Sequence, residues 1–74
     1  MFMLATILEV WSNRLLVRDH ANSQNVIVNT NVNLRCFFPG DTVTILYNGV
    51  MTKSIPPQIF GLRIFRLSQG RNCR

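Results

Sequence analysis

Trp11, Arg14 and Arg18 are the residues whose types and spacing point most directly to chemistry, and that chemistry is binding. An indole stacks on an unpaired base, and guanidinium groups neutralise phosphates. Arg14 and Arg18 fall on one side of an alternating stretch, with Leu16 between them. Lys53, Arg63 and Phe65 extend the set further along the chain. The plainer reading of Trp11 is an aromatic at the rim of the fold, and that of the arginines a solvated strand face. The aromatics do not interleave with the basic residues as densely as on dedicated RNA-recognition surfaces.

Catalysis finds little to work with. Acid–base chemistry needs paired titratable groups in a pocket. The chain has three carboxylates, Glu9, Asp19 and Asp41, each in a different segment. Asp41 follows Gly40 and reads as a turn residue. His20, the sole imidazole, sits in a polar stretch with Asn22 and Ser23 and reads as a solvated loop residue. No glycine-rich phosphate loop is present. Cys36 and Cys73 match no zinc spacing with His20. Disulfide-stapled domains of this size usually carry more cysteines, so free thiols are expected. These features predict a protein that is not an enzyme and needs no cofactor or metal.

The charge balance favours an anionic partner. Eight Lys and Arg stand against three acids, a net charge of +5 on 74 residues. An excess of that size attracts polyanions, although the basic residues are scattered, and solubility alone could account for them. Hydrophobic residues make up 47% of the chain and charged residues 15%, which excludes a disordered segment. No apolar run approaches the roughly 20 residues of a spanning helix. The apolar stretch from Met1 to Leu8 lacks a preceding basic residue and runs into Glu9 and Trp11, so it reads as a strand rather than a signal sequence. A cytoplasmic location is therefore expected.

The elements that must position these residues are strands. Val, Ile, Thr and aromatic residues are frequent, and helical spacing of apolar residues is rare. The pattern predicts strands at Phe2 to Val10, Arg14 to Asp19, Asn25 to Thr30 and Thr42 to Tyr47. Asn31 to Phe38 reads as a helical turn or a crossing loop, with Leu34, Phe37 and Phe38 plugging the core. Pro39-Gly40-Asp41 is a turn. Asn48-Gly49 predicts a type I′ hairpin, with Val50 to Ile55 returning along the fourth strand. Pro56-Pro57 stops that ladder. Gln58 to Leu67 then forms a fifth strand, with Phe60, Leu62 and Ile64 on one face and Arg63 and Phe65 on the other. Ser68 to Arg74 reads as a polar tail.

Strands this few and short cannot make an ordinary sandwich, and a flat sheet would leave open edges. Closure into one small five-stranded barrel solves both problems. A meander, an irregular crossing segment and a further strand suit an all-β, OB-like barrel, with an SH3-like barrel as the alternative. In an OB-like barrel, ligands lie on the face of strands two and three and on the loops joining strands one to two and four to five.

Several segments resemble a known group. Ala5-Thr6-Ile7-Leu8-Glu9-Val10, Leu15-Leu16-Val17, Gly40-Asp41-Thr42-Val43, Tyr47-Asn48-Gly49 and Ser54-Ile55-Pro56-Pro57-Gln58-Ile59 are similar to small bacterial OB-fold domains of the YobA-like kind. The resemblance covers about positions 5 to 65 and implies the barrel but no catalytic signature. It also implies that export is the alternative location, since such domains are often exported or lipid-anchored. Residues 1–74 show no signal sequence or lipobox cysteine of that kind, so this chain is expected to depart from the exported members.

The expected function is thus a small binding or interaction module. One hypothesis is single-stranded nucleic acid held on the basic strand-two face. The other is a protein partner held on an outer apolar patch of Leu16, Ile27, Phe65, Met51 and Ile55. A monomer is expected.

Overall fold

The structure is a computed structural model, and it describes residues 1–67. The tail expected from Ser68 to Arg74 lies outside the described residues. Five strands form: β1 (Phe2–Val10), β2 (Arg14–Asp19), β3 (Asn25–Thr30), β4 (Thr42–Tyr47) and β5 (Gln58–Arg66). They close into a barrel in the order β1-β2-β3-β5-β4. β1, β2 and β3 are an antiparallel meander. β5 then lies parallel to β3, and β4 fills the gap between β5 and β1. This is the expected small all-β, five-stranded barrel of the OB-like or SH3-like kind.

Alternation writes the core. Successive side chains in a strand point to opposite faces. Hence Met3, Ala5 and Ile7 of β1, Leu15 and Val17 of β2, Val26 and Val28 of β3, and Val43, Ile45 and Tyr47 of β4 all point inward. Ile59 and Ile64 complete the interior from β5, and Leu34 closes one end. These residues are mostly β-branched, which packs well on a pleated surface.

The inward face of β5 differs from expectation. Ile59, Gly61 and Ile64 face the core, while Phe60, Leu62 and Phe65 face out. The cause is local. The register against β4 shifts between Leu46 and Tyr47, so strict alternation fails between Gly61 and Ile64. Gly61 also sits where the barrel is tightest: a Cβ there would lie 2.9 Å from Val28 Cγ1 and 3.4 Å from Ile45 Cγ2. Phe60 is consequently not a core residue.

The two long connections also differ. Asn31 to Asp41 crosses without a helix. Thr30 Oγ1 donates to the Gly61 carbonyl (2.8 Å) and accepts from the Val32 amide (3.0 Å), which carries the chain off β3. Leu34 is buried and Phe37 packs partly against the core, but Phe38 stays exposed. At its end, Asp41 Oδ2 accepts from the Phe38 amide (3.0 Å) and pairs with Arg66 Nε (3.3 Å). Val50 to Ile55 forms no strand. Gly49 has φ +88°, but Asn48 does not have the positive φ that a type I′ turn needs. Instead Asn48 Oδ1 accepts from the Val50 amide (3.0 Å), and the chain runs in a loop to Gln58. Cys36 is disulfide-bonded, against the expectation of free thiols; Cys73 lies outside the described residues.

Candidate binding face on β2 and β3

Trp11 opens the β1–β2 turn because β1 ends there and the chain must reverse. Its amide donates to the Arg14 carbonyl (2.9 Å), which closes the turn. Trp11 is 40% exposed. The Arg14 guanidinium lies over it, 5.5 Å from the centroid. A cation over an indole face fixes both groups in place. Trp11 is thus the rim aromatic that its plainer reading describes, with a guanidinium stacked on it.

From Arg14 the outward side of β2 runs through Leu16 to Arg18. The outward side of β3 runs alongside: Arg14 stands opposite Asn29, Leu16 opposite Ile27 and Arg18 opposite Asn25. The parallel pairing adds the start of β5, with Ile27 opposite Gln58 and Asn29 opposite Phe60. Phe60 is 42% exposed. Asn29 Nδ2 donates to Gln58 Oε1 (3.0 Å), linking β3 to β5 on this face.

Shallow, open hollows mark the surface here. A hollow of about 480 Å³ is lined by Trp11, Asn13, Arg14 and Asn29. A second of about 230 Å³ lies beyond Asn29 and is lined by Gln58, Phe60, Val50 and Thr52. Asn29 borders both. Trp11 also borders a third hollow of about 480 Å³, with Asn33, Arg35 and Phe38 of the crossing loop. Trp11, Asn29 and Phe60 therefore stand along one succession of hollows.

Lys53 is exposed on the β4–β5 loop. That loop is held by its own hydrogen bonds. Thr52 exchanges backbone and side-chain bonds with Gln58 (3.0 and 2.9 Å), and Ser54 Oγ donates to the Pro56 carbonyl (2.9 Å). Ile55 stands at its tip, 98% exposed. Leu16 and Ile55 share a hollow with Asn25 and Pro57.

Arg63 and Phe65 are not brought to this face. They lie on the half of β5 that pairs with β4, opposite Leu46 and Thr44. The apolar patch expected from Leu16, Ile27, Phe65, Met51 and Ile55 is likewise divided. Met51 packs against the core, and Phe65 joins a different set. Its cross-strand neighbours run through Thr44 to Leu4, while Arg63 leads through Leu46 to Phe2.

Electrostatics favour anions on the β2–β3 face. Two of the three carboxylates are committed elsewhere: Asp41 to Arg66, and Asp19 to the Ala21 amide (2.9 Å) in the β2–β3 turn. Glu9 remains exposed, opposite Leu16. His20 Nε2 lies 2.6 Å from Thr6 Oγ1 in an exposed position. Among the described residues no cluster of His, Cys, Asp or Glu could hold a metal ion, and no helix is long and apolar enough to cross a membrane.

Sequence reasoning missed Asn25, Asn29, Gln58 and Phe60. They fall within the strands expected at Asn25 to Thr30 and Gln58 to Leu67, where nothing in their types or spacing singled them out for binding. Only the parallel β3–β5 crossing brings Gln58 and Phe60 beside Asn29. The chain matches no protein-family model, no curated protein and no solved structure.

Proposed function

We propose that this protein is a non-catalytic binding module whose outer β2–β3 face takes single-stranded nucleic acid. The observation that carries the reading is the Trp11–Arg14 stack beside Asn29 and Phe60. It offers an exposed indole for a base, a guanidinium for a phosphate, and a second exposed ring beyond. Arg18 and Lys53 supply further positive charge along the track. Asp41 pairs with Arg66 and Asp19 accepts from the Ala21 amide, while Glu9 is the exposed carboxylate at the edge of this face, opposite Leu16.

A non-catalytic role is supported by the placement of the titratable side chains. His20 is exposed and bonded to Thr6, and the three carboxylates lie on separate elements. Among the described residues, no two titratable acid and base side chains line one of the hollows described above. The barrel also keeps company with the YobA-like resemblance. The disulfide at Cys36 favours oxidising surroundings and hence the exported alternative; binding at this face would be the same in either compartment.

Anisotropy of a labelled oligonucleotide, titrated with protein at rising salt, tests the reading. Binding that weakens steeply with salt and collapses in Arg14→Ala/Arg18→Ala supports it.

A second reading has its own observation. Phe2, Leu4, Phe65 and Leu67 are exposed on the β1–β4–β5 side, away from the basic face. An apolar face of this kind suits a protein partner. A partner captured by the native protein and lost in Phe65→Asp would favour it.

A further inference from the structure

The amide pair Asn29–Gln58 lies between the two aromatic platforms, and it has hydrogen-bonding capacity to spare. Each side-chain amide carries one carbonyl oxygen and one NH₂ group. The pair uses one donor and one acceptor on each other, across 3.0 Å. Whichever way the two amides are turned, that bond leaves one NH₂ and one carbonyl oxygen of the pair unused. Among the described residues no other side chain bonds to either of these amide groups. Both are half-buried and border the hollow that Phe60 closes, and Asn29 also borders the hollow of Trp11.

A fixed donor beside a fixed acceptor is what reads a base edge. Side-chain amides match adenine, accepting from its 6-amino group and donating to the adjacent ring nitrogen. In a duplex the Watson–Crick edge is already used, whereas an unpaired base presents it. The cross-strand bond stiffens both amides, so they are held in place before a ligand arrives.

We infer that the Asn29–Gln58 pair is a base-reading element that makes the face prefer unpaired adenine. This rests on the nucleic-acid reading above but goes beyond it. Stacking and phosphate contacts alone tolerate any base.

The test compares labelled dA and dT hexamers, and a hexamer of purine nucleotides lacking the 6-amino group, by anisotropy at one low salt concentration. The native protein is expected to prefer dA over dT by about tenfold. The purine hexamer should bind like dT. In Gln58→Met, and separately in Asn29→Ala, the ratio of dA to dT affinity should fall to about twofold or less. Gln58→Met keeps the side-chain length, so one variant survives if the other perturbs the strand. A native protein that binds all three hexamers equally overturns the inference and leaves the nucleic-acid reading standing. So does a dA preference that persists in both variants. Binding of no hexamer overturns both.

Discussion

The guanidinium of Arg14 lies over the indole of Trp11, 5.5 Å from its centroid, at the turn where β1 passes into β2. The contact joins the chain's single tryptophan to the first of two outward arginines on β2. It also orients the ring, whose exposed surface borders two hollows. A local packing device and a stacking platform are thus the same pair of residues.

Trp11→Ala should weaken oligonucleotide binding by about 1–3 kcal/mol, the worth of one base stacked on an aromatic ring. Trp11→Phe should recover a large part of it, since a smaller ring still stacks. Anisotropy titrations of the three proteins measure this. Equal affinities for Trp11→Ala and the native protein would exclude the indole as a platform.

Gly61 is required by close approach rather than by backbone angle. A methyl group there meets Val28 Cγ1 at 2.9 Å, inside the barrel where β3 and β5 run parallel. Gly61→Ala should destabilise the fold by about 1–3 kcal/mol through overpacking. Gly40→Ala meets no atom within 4 Å but forces a side chain onto φ +94°, so its cost is backbone strain of similar size. Urea unfolding measures both. A Gly61→Ala protein as stable as the native one would mean that the β3–β5 seam is looser than described.

Asp41 and Arg66 tie the crossing loop to the last strand. Their side chains are 9% and 17% exposed, so neither charge is easily solvated. Asp41→Asn leaves the Arg66 charge without its carboxylate and should cost about 3 kcal/mol. The exposed Glu9→Gln is the control, expected within about 0.5 kcal/mol of native. Equal midpoints in urea for the two variants would contradict the role given to the pair.

Much of the barrel was legible because inward residues alternate with outward ones. Leu15 and Val17, Val26 and Val28, and Val43, Ile45 and Tyr47 all obey the period of two, and all are buried. β5 was misread because its register shift and its inward Gly61 break that period, and a glycine gives no hydrophobic signal. Asn48-Gly49 reads as a hairpin turn, but the Asn48 side chain bonds the Val50 amide instead (3.0 Å), and the Thr52–Gln58 contacts hold a loop. The candidate face was legible only on β2. Trp11, Arg14 and Arg18 come from one hairpin and lie close together in the sequence, whereas Asn29, Gln58 and Phe60 meet through a crossing that joins residues far apart in the chain. Arg63 and Phe65 looked like their companions because outwardness is visible in a sequence, but the side of the barrel is not.

The measurement that bears most directly on the β2–β3 face is the salt dependence of oligonucleotide affinity in the native and Arg14→Ala/Arg18→Ala proteins. Each phosphate neutralised on a single strand contributes about −0.7 to the slope of log K against log salt. Contacts from Arg14, Arg18 and Lys53 predict a slope of about −2, and removing both arginines should reduce its magnitude by about 1.4. No anisotropy change at low salt and tens of micromolar protein, or a slope that the double substitution leaves untouched, would contradict single-stranded nucleic acid as the ligand of this face.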